Sequence, residues 1–214
     1  MLSIKSFEFS PIQENTYLLY DDQGKAIIID PGCYFGVEHE TLKNFITRNG
    51  LSPVQLLNTH CHLDHVFGNK WVHEQYGLEL YLHPEEEQVL AYAPTAGIRW
   101  SLPFDNYEGP LHFLEAGDTV TLGNSTLKVL FTPGHSPGSI CFYSEEQGFV
   151  IGGDVLFYES IGRTDLPLGD HETLLRSIRE QLFTLPDNTV VYPGHGRSTT
   201  IGYEKRNNPF LLGT

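Results

Sequence analysis

The chain has 214 residues and a mass of 24.1 kDa, enough for one well-packed domain or at most two small ones. Hydrophobic residues make up 40% of it and aromatic residues 12%, which excludes a disordered or fibrous protein. Acidic residues outnumber basic ones 27 to 13, and the formal net charge is −14. Such a chain repels polyanions, so we expect neither a nucleic acid nor a membrane as a partner.

The sequence predicts a cytoplasmic protein, either a monomer or a small homo-oligomer. No stretch approaches the roughly 20 apolar residues that span a bilayer, and the opening MLSIKSFEFS lacks the apolar core of a signal peptide. The three cysteines form neither a disulfide framework nor a CxxC zinc pattern, so a reducing compartment fits best. We expect these cysteines to be small buried hydrophobes: Cys33, Cys61 and Cys141.

The first half of the chain alternates β-rich runs with helical patterns. Predicted strands cover residues 3–9, 16–20, 25–30, 54–59 and 78–82. Predicted helices cover residues 37–49 and 64–76, and the glycines that follow, Gly50 and Gly77, are typical helix stops. Pro84 and the three glutamates after it are typical of a first helical turn. Residues 94–110 lack periodicity and predict a long surface loop bordering the active site.

The β pattern returns in the second half. Predicted strands cover residues 119–122, 126–132, 139–143, 149–152 and 189–192. Asp170 is a candidate N-cap for a helix with an apolar face, and a short polar tail follows Pro193. Two successive sets of strands and helices favour an α+β fold in which two sheets pack face to face with helices outside. We expect one domain over residues 1–214, without a separate C-terminal helical domain.

Ligand-type side chains crowd the end of the strand predicted at 54–59. His60, His62, Asp64 and His65 lie within six positions, and residues two apart on an extended backbone can point into one cation. Unpaired imidazoles and carboxylates are costly to bury. The cluster therefore predicts a metal site.

Three more candidates follow predicted strands at glycine turns: His135 in Pro-Gly-His-Ser-Pro-Gly, Asp154 in Gly-Gly-Asp, and His195 in Pro-Gly-His-Gly. Glycine lets such a turn present a side chain at a crowded ion. Five histidines and two aspartates are too many ligands for one tetrahedral ion and suit two ions that share a carboxylate. We expect two divalent ions, with zinc as the first choice and iron or manganese as alternatives. The remaining histidines are expected to be ordinary surface or hydrogen-bonding residues: His39, His73, His83, His112 and His171.

Together these motifs resemble the metallo-β-lactamase superfamily over almost the whole chain. The resemblance implies a four-layer αββα fold. It also implies the ligand sets: His60, His62 and His135 for the first ion, Asp64, His65 and His195 for the second, and Asp154 as the bridge.

Within that superfamily the chain looks most like short glyoxalase II proteins, which hydrolyse S-(hydroxyacyl)glutathione thioesters. The resemblance implies hydrolysis by a metal-bridging hydroxide that Asp64 orients. True zinc β-lactamases usually lack a histidine after the motif aspartate, which disfavours antibiotic hydrolysis. One alternative is a mononuclear iron persulfide dioxygenase, which the segment 162–165 resembles. The other is a metal-binding protein without catalysis.

Four further residues are candidates for supporting roles. Arg163, Tyr158 and Arg197 lie close in sequence to proposed ligands and could contact substrate, although Arg163 could instead pair with Asp165. Asp30, in Asp-Pro-Gly at a strand end, is either a partner that orients a ligand imidazole or a turn-forming aspartate.

Overall fold

The computed structural model describes residues 1–212. Their contacts divide into two compact units, Met1–Leu114 with Thr121–Ser125, and Glu115–Val120 with the residues from Thr126 onward. The single domain expected over the chain stays a prediction. Each unit contains most of one mixed sheet with its own helices.

A six-stranded sheet forms the centre of the first unit. Its strands, in spatial order, are β1 (Ser3–Phe9), β2 (Glu14–Tyr20), β3 (Lys25–Ile29), β4 (Ser52–Leu57), β5 (Leu80–Leu82) and β6 (Leu111–Phe113). β1 to β3 are antiparallel, whereas β3 to β6 run parallel, so the sheet is mixed. All five predicted strands of this half are confirmed within a few residues, and β6 is an addition.

Helices cover one face of this sheet. They are α1 (Gly36–Arg48), α2 (Leu63–Val66), α3 (Asn69–Tyr76) and α4 (Glu87–Arg99). Leu42 and Val72 of the helices pack in one core with Leu18 and Ile28 of the strands. The neighbouring strand residue Ile27 is also fully buried, and neighbours in a strand point to opposite faces. Burial on both faces explains why β3 is an unbroken apolar run.

The helix predicted over 64–76 is interrupted between α2 and α3. At the break the Gly68 amide donates to the carbonyl of Pro31 over 2.7 Å. A Cβ atom on Gly68 would lie only 2.4 Å from Cys33 Sγ. Close packing of two chain segments therefore interrupts the helix, which the local sequence pattern does not reveal.

The loop predicted over 94–110 is wrong in its first part, because α4 continues to Arg99 with Pro94 inside it. Proline cannot donate a hydrogen bond to the carbonyl four residues earlier. That carbonyl, on Leu90, accepts instead from Asn106 Nδ2 over 2.7 Å. The side chain of Asn106 thus offsets part of the cost of a proline within the helix.

The second sheet also has six strands. In chain order they are β7 (Thr119–Leu122), β8 (Ser125–Phe131), β9 (Ile140–Ser144), β10 (Phe149–Gly153), β13 (Val190–Pro193) and β14 (Thr199–Thr200). β10 pairs parallel with β13 and antiparallel with β9, so this sheet is mixed too. Between β10 and β13 lies a separate two-stranded ribbon, β11 (Leu156–Phe157) and β12 (Ser160–Ile161).

Helices also flank the second sheet. α5 (His171–Ser177) begins at the predicted N-cap, since Asp170 accepts from the Thr173 amide over 2.7 Å, and it continues as a π-helical turn to Leu182. Leu174 and Ile178 pack with Val150 and Val191. The prediction of a short polar tail after Pro193 is wrong, because a further helix, α6 (Ile201–Asn207), follows β14. A helix this short carries little apolar periodicity.

The arrangement confirms an α+β protein with two mixed sheets flanked by helices. No helix among residues 1–212 is long and apolar enough to cross a membrane. Within the same range all three cysteines are buried and free, as expected.

Candidate metal centre

The loop between β4 and α2 gathers three imidazoles and a carboxylate. The ring centroids of His60 and His65 lie 4.1 Å apart, and those of His60 and His62 lie 4.9 Å apart. His60 and His65 are fully buried, and Asp64 is 6% exposed. His62 is the N-cap of α2, so the helix start places Asp64 and His65 in its first turn. The sequence cluster is therefore a spatial cluster as well.

Asp30 lies against this cluster and accepts hydrogen bonds from it. Its Oδ2 atom is 3.1 Å from His65 Nδ1 and 2.5 Å from Thr59 Oγ1. Its Oδ1 atom accepts from the Thr59 amide over 2.7 Å. When His65 donates from Nδ1, its Nε2 carries the lone pair. That Nε2 atom is 3.8 Å from Asp64 Oδ2. Asp30, His60 and His65 could also be grouped around an ion by distance alone, but the donors around Asp30 already use its oxygens.

Two other buried carboxylates support the same loop, and the sequence motifs include neither of them. Glu14 is fully buried, with Oε1 3.9 Å from His65 Nδ1 and Oε2 accepting from Thr16 Oγ1 over 2.9 Å. Burial raises the pKa of Glu14 well above its ordinary value, and the nearby His65 offsets part of that rise. Glu86 Oε2 accepts from the Cys61 amide over 2.6 Å, between two of the histidines. Only their long-range partners mark these residues, since neither lies in a ligand motif.

In the second unit, one carboxylate oxygen faces two imidazoles. Asp154 Oδ2 lies 3.5 Å from His135 Nε2 and 3.5 Å from His195 Nε2. His135 Nδ1 lies 2.7 Å from the carbonyl oxygen of Arg163. A carbonyl can only accept, so Nδ1 carries a proton, and in the neutral imidazole the lone pair is on the Nε2 atom that faces Asp154. Two ligands at 2.0 to 2.2 Å from a tetrahedral ion are about 3.3 to 3.6 Å apart, so this spacing fits a metal centre.

The turn before His135 requires glycine. Gly134 has φ +133°, and a Cβ atom there would lie 2.3 Å from the Leu174 amide nitrogen. Its carbonyl also accepts from the Asp170 amide over 2.8 Å. The start of α5 therefore packs against the turn that carries His135 and fixes its position.

The three candidate substrate residues differ in their contacts. Arg163 makes two hydrogen bonds of 2.7 Å to Asp165 and lowers the pKa of that carboxyl to about 2. The Arg197 guanidinium lies 3.4 Å above the centre of the Tyr158 ring. The Tyr158 hydroxyl is 2.7 Å from that of Tyr203.

Histidines and cysteines outside the motifs make contacts typical of structural residues. His39, His73 and His112 bond to Cys33 O, Leu78 O and Glu79 Oε2, respectively. Burial raises the pKa of the Cys33 and Cys61 thiols, which opposes a thiolate nucleophile.

Comparison with known proteins gives the family. The profile of the metallo-β-lactamase superfamily matches residues 10–195. The chain belongs to this superfamily. It is 42% identical over 204 residues to "Probable metallo-hydrolase YqgX" of Bacillus subtilis, covering 95% of this chain and 94% of the relative. It is 39% identical over 212 residues to "Hydroxyacylglutathione hydrolase GloC" of Haemophilus influenzae, with 98% of each chain covered.

Several solved structures share the fold of this chain. BLEG-1, described as a B3 metallo-β-lactamase, matches with a TM-score of 0.91 and 40% identity over 99% of this chain and 100% of its own. TTHA1623, solved in a di-iron-bound form, matches with a TM-score of 0.88 and 40% identity over 97% of this chain and 100% of its own. ETHE1 from Myxococcus xanthus matches with a TM-score of 0.81 and 28% identity over 99% and 85%. These matches establish the superfamily fold, and the name of the Bacillus subtilis relative supports hydrolase activity.

Proposed function

We propose that this protein is a two-metal hydrolase of S-(hydroxyacyl)glutathione-type thioesters. The observation that carries the proposal is Asp154, whose Oδ2 atom is 3.5 Å from the Nε2 atoms of both His135 and His195. One carboxylate oxygen shared by two imidazoles suits a ligand that bridges two ions. The 39% identity to a protein named as a hydroxyacylglutathione hydrolase supports the substrate class.

The proposed ligand sets follow the superfamily motif. His60, His62 and His135 would hold the first ion, Asp64, His65 and His195 would hold the second, and Asp154 would be the shared ligand. The donors are nitrogen and oxygen, which suit zinc, iron or manganese. A similar protein has been solved with two irons, so iron is as serious a candidate as zinc here.

The chain's own residues prepare this chemistry. When bound, the two divalent ions supply the Lewis acidity that activates water at neutral pH and polarises the thioester carbonyl. Asp30 orients His65, and the carbonyl of Arg163 orients His135, so that each presents Nε2. Asp64 accepts a hydrogen bond from the attacking water. The water oxygen bonds to the carbonyl carbon and gives up its protons to solvent, the C–S bond breaks to leave a carboxylate, and the thiolate takes up a proton from solvent.

The test is hydrolysis of S-D-lactoylglutathione by protein of measured metal content, with Asp154→Ala as the blank. The proposal expects release of glutathione by the wild type alone and loss of that release on chelation. Wild-type protein that holds two ions and releases no more thiol than the blank would overturn it.

Two further assays separate the alternatives. Oxygen uptake with glutathione persulfide by the iron form would favour a persulfide dioxygenase, which the segment 162–165 resembles. Faster hydrolysis of a β-lactam than of any thioester would favour the activity for which BLEG-1 is named. Metal binding without turnover of any of these substrates would indicate a non-catalytic protein.

A further inference from the structure

Two arginines lie near the proposed ligands of the second unit, and their guanidinium groups differ in what they contact. Arg163 uses its Nε and Nη2 atoms on Asp165. Arg197 is exposed and lies two residues after His195. Apart from its stacking on Tyr158 and its attraction to Glu159, it has no hydrogen-bond acceptor among residues 1–212. An arginine on an aromatic ring keeps its N–H edge open to an anion.

The ring under Arg197 is fixed by its neighbours. Tyr158 and Tyr203 stack with centroids 5.1 Å apart and rings inclined by 20°. Tyr203 donates its hydroxyl proton to Glu159 Oε1 over 2.5 Å, so Tyr158 donates to Tyr203 over 2.7 Å. The hydrogen bond from Tyr203 lowers the pKa of Glu159. The acid on this turn is thus engaged by a tyrosine hydroxyl.

A buried network holds both sides of the stack. Glu204, in α6, is fully buried and accepts from the Glu159 amide over 3.0 Å and from Thr199 Oγ1 over 2.5 Å. Asn208 is also fully buried and donates to Glu204 over 2.9 Å and to the carbonyl of Ser160 over 2.9 Å. One carboxylate therefore ties the turn that carries Tyr158 to the segment that follows Arg197. Such rigidity lowers the entropy lost on binding.

The same turn contacts a proposed ligand. Phe157, one residue before Tyr158, meets the His195 ring edge-on at 6.3 Å. The stacked arginine is therefore held on the turn that packs against His195.

We propose that Arg197, held flat on Tyr158, is an anion subsite that binds a carboxylate on the thiol half of the substrate. This inference rests on the proposed thioester hydrolysis and adds selection for an anionic carrier thiol. The planar guanidinium can make two parallel hydrogen bonds to a carboxylate. In a chain of net charge −14, a preformed cation of this kind offsets repulsion of an anionic substrate.

The test compares binding of S-hexylglutathione, which has no thioester to hydrolyse, with binding of its dimethyl ester, both by calorimetry on metal-loaded protein. Arg197→Gln should weaken binding of the free acid about 10-fold, the loss expected for one charge-assisted interaction. It should leave binding of the ester unchanged. Arg197→Lys should recover only part of the affinity, because lysine lacks the planar fork. Tyr158→Leu should weaken binding of the free acid, whereas Tyr158→Phe should retain most of the affinity for it.

Arg99→Gln is the matched control. Arg99 stacks on Tyr92 at 5.5 Å, so its loss also removes a stacked arginine, and binding should not change. The subsite is overturned if Arg197→Gln, with a wild-type melting temperature, binds the acid as tightly as the wild type does. It is also overturned if wild type prefers the ester, or if Arg163→Gln alone shows the selective loss. Each result can occur with thioester hydrolysis intact, whereas failure of the proposed function appears as absent turnover.

Discussion

Asp30 Oδ2 lies 3.1 Å from His65 Nδ1, although 35 positions separate the two residues in the sequence. Both side chains are buried, and Asp30 has φ +49°, a backbone conformation unusual outside glycine. The strained residue at the end of β3 thus fixes the orientation of an imidazole in the following motif. A carboxylate behind a ligand histidine commonly sets both its tautomer and its basicity.

Replacing Asp30 should therefore weaken metal binding without removing a ligand. Asp30→Ala leaves the Thr59 donors and His65 Nδ1 without their acceptor, and we expect metal affinity to fall about 10- to 100-fold. The measurement is bound metal per chain after dialysis against a chelator series. Asp118→Ala, which removes a surface acid that accepts from the Glu115 amide, is the control. Equal metal retention by Asp30→Ala and the control would contradict the role given to Asp30.

Asp154→Ala should disturb both ions, because Asp154 is the proposed bridge. We expect fewer than two ions per chain by elemental analysis and no thioester turnover. Asp154→Asn keeps the shape but loses the charge, and should retain more metal than alanine does. A variant with two ions and full turnover would show that the bridge is misassigned.

His73→Ala should leave metal content unchanged. Its Nδ1 atom lies 2.7 Å from the carbonyl oxygen of Leu78, and its ring meets that of Tyr107 edge-on at 5.2 Å. These are packing contacts, so we expect a lower melting temperature and a wild-type metal count. Loss of metal in this variant would mean that the ligand set has been drawn wrongly.

The cysteines should be inert while the protein is folded. Burial raises the pKa of the Cys33 and Cys61 thiols, and the thiolate is the reactive form. With a disulfide reagent at pH 8 we expect no fast reaction in buffer and reaction of all three thiols in denaturant. A thiol that reacts at once in native protein would contradict this environment.

Asn106→Ala should destabilise α4, because the carbonyl of Leu90 loses its side-chain donor beside Pro94. One hydrogen bond contributes about 1 kcal/mol to stability, measurable by urea unfolding. Asn49→Ala, which removes an exposed bond to the Phe45 carbonyl, is the matched control and should have a smaller effect. Equal losses would show that Asn106 has no special role at the proline.

Local signals predicted much of the fold. β1 matches residues 3–9, Gly77 ends α3 with φ +69°, and Asp170 caps α5 as expected. These features depend on neighbours within a few positions. The loop predicted around Pro94 was wrong because the donor that compensates for the proline, Asn106, lies 16 positions from Leu90. Patterns of neighbouring residues do not indicate a partner at that distance.

The residues of the candidate site also fall into those that the local sequence predicts and those that it does not. The motif residues could be read as ligands from chemistry and spacing, since His60, His62, Asp64 and His65 lie within six positions. Glu14 and Glu86 could not, because a buried acid and a solvated one look alike in sequence. Glu86 reaches the Cys61 amide across 25 positions and stands among glutamates that suit a helix start. Long-range hydrogen bonding decides such roles.

The most direct test of the two-metal hydrolase is a titration. Metal-free protein is supplied with zinc, and separately with ferrous iron under anaerobic conditions, while bound metal and S-D-lactoylglutathione hydrolysis are followed on the same samples. We expect the rate to rise until two ions are bound per chain and then to stay constant, with Asp154→Ala inactive throughout. Full activity at one ion per chain, or none at two with either metal, would contradict the proposal.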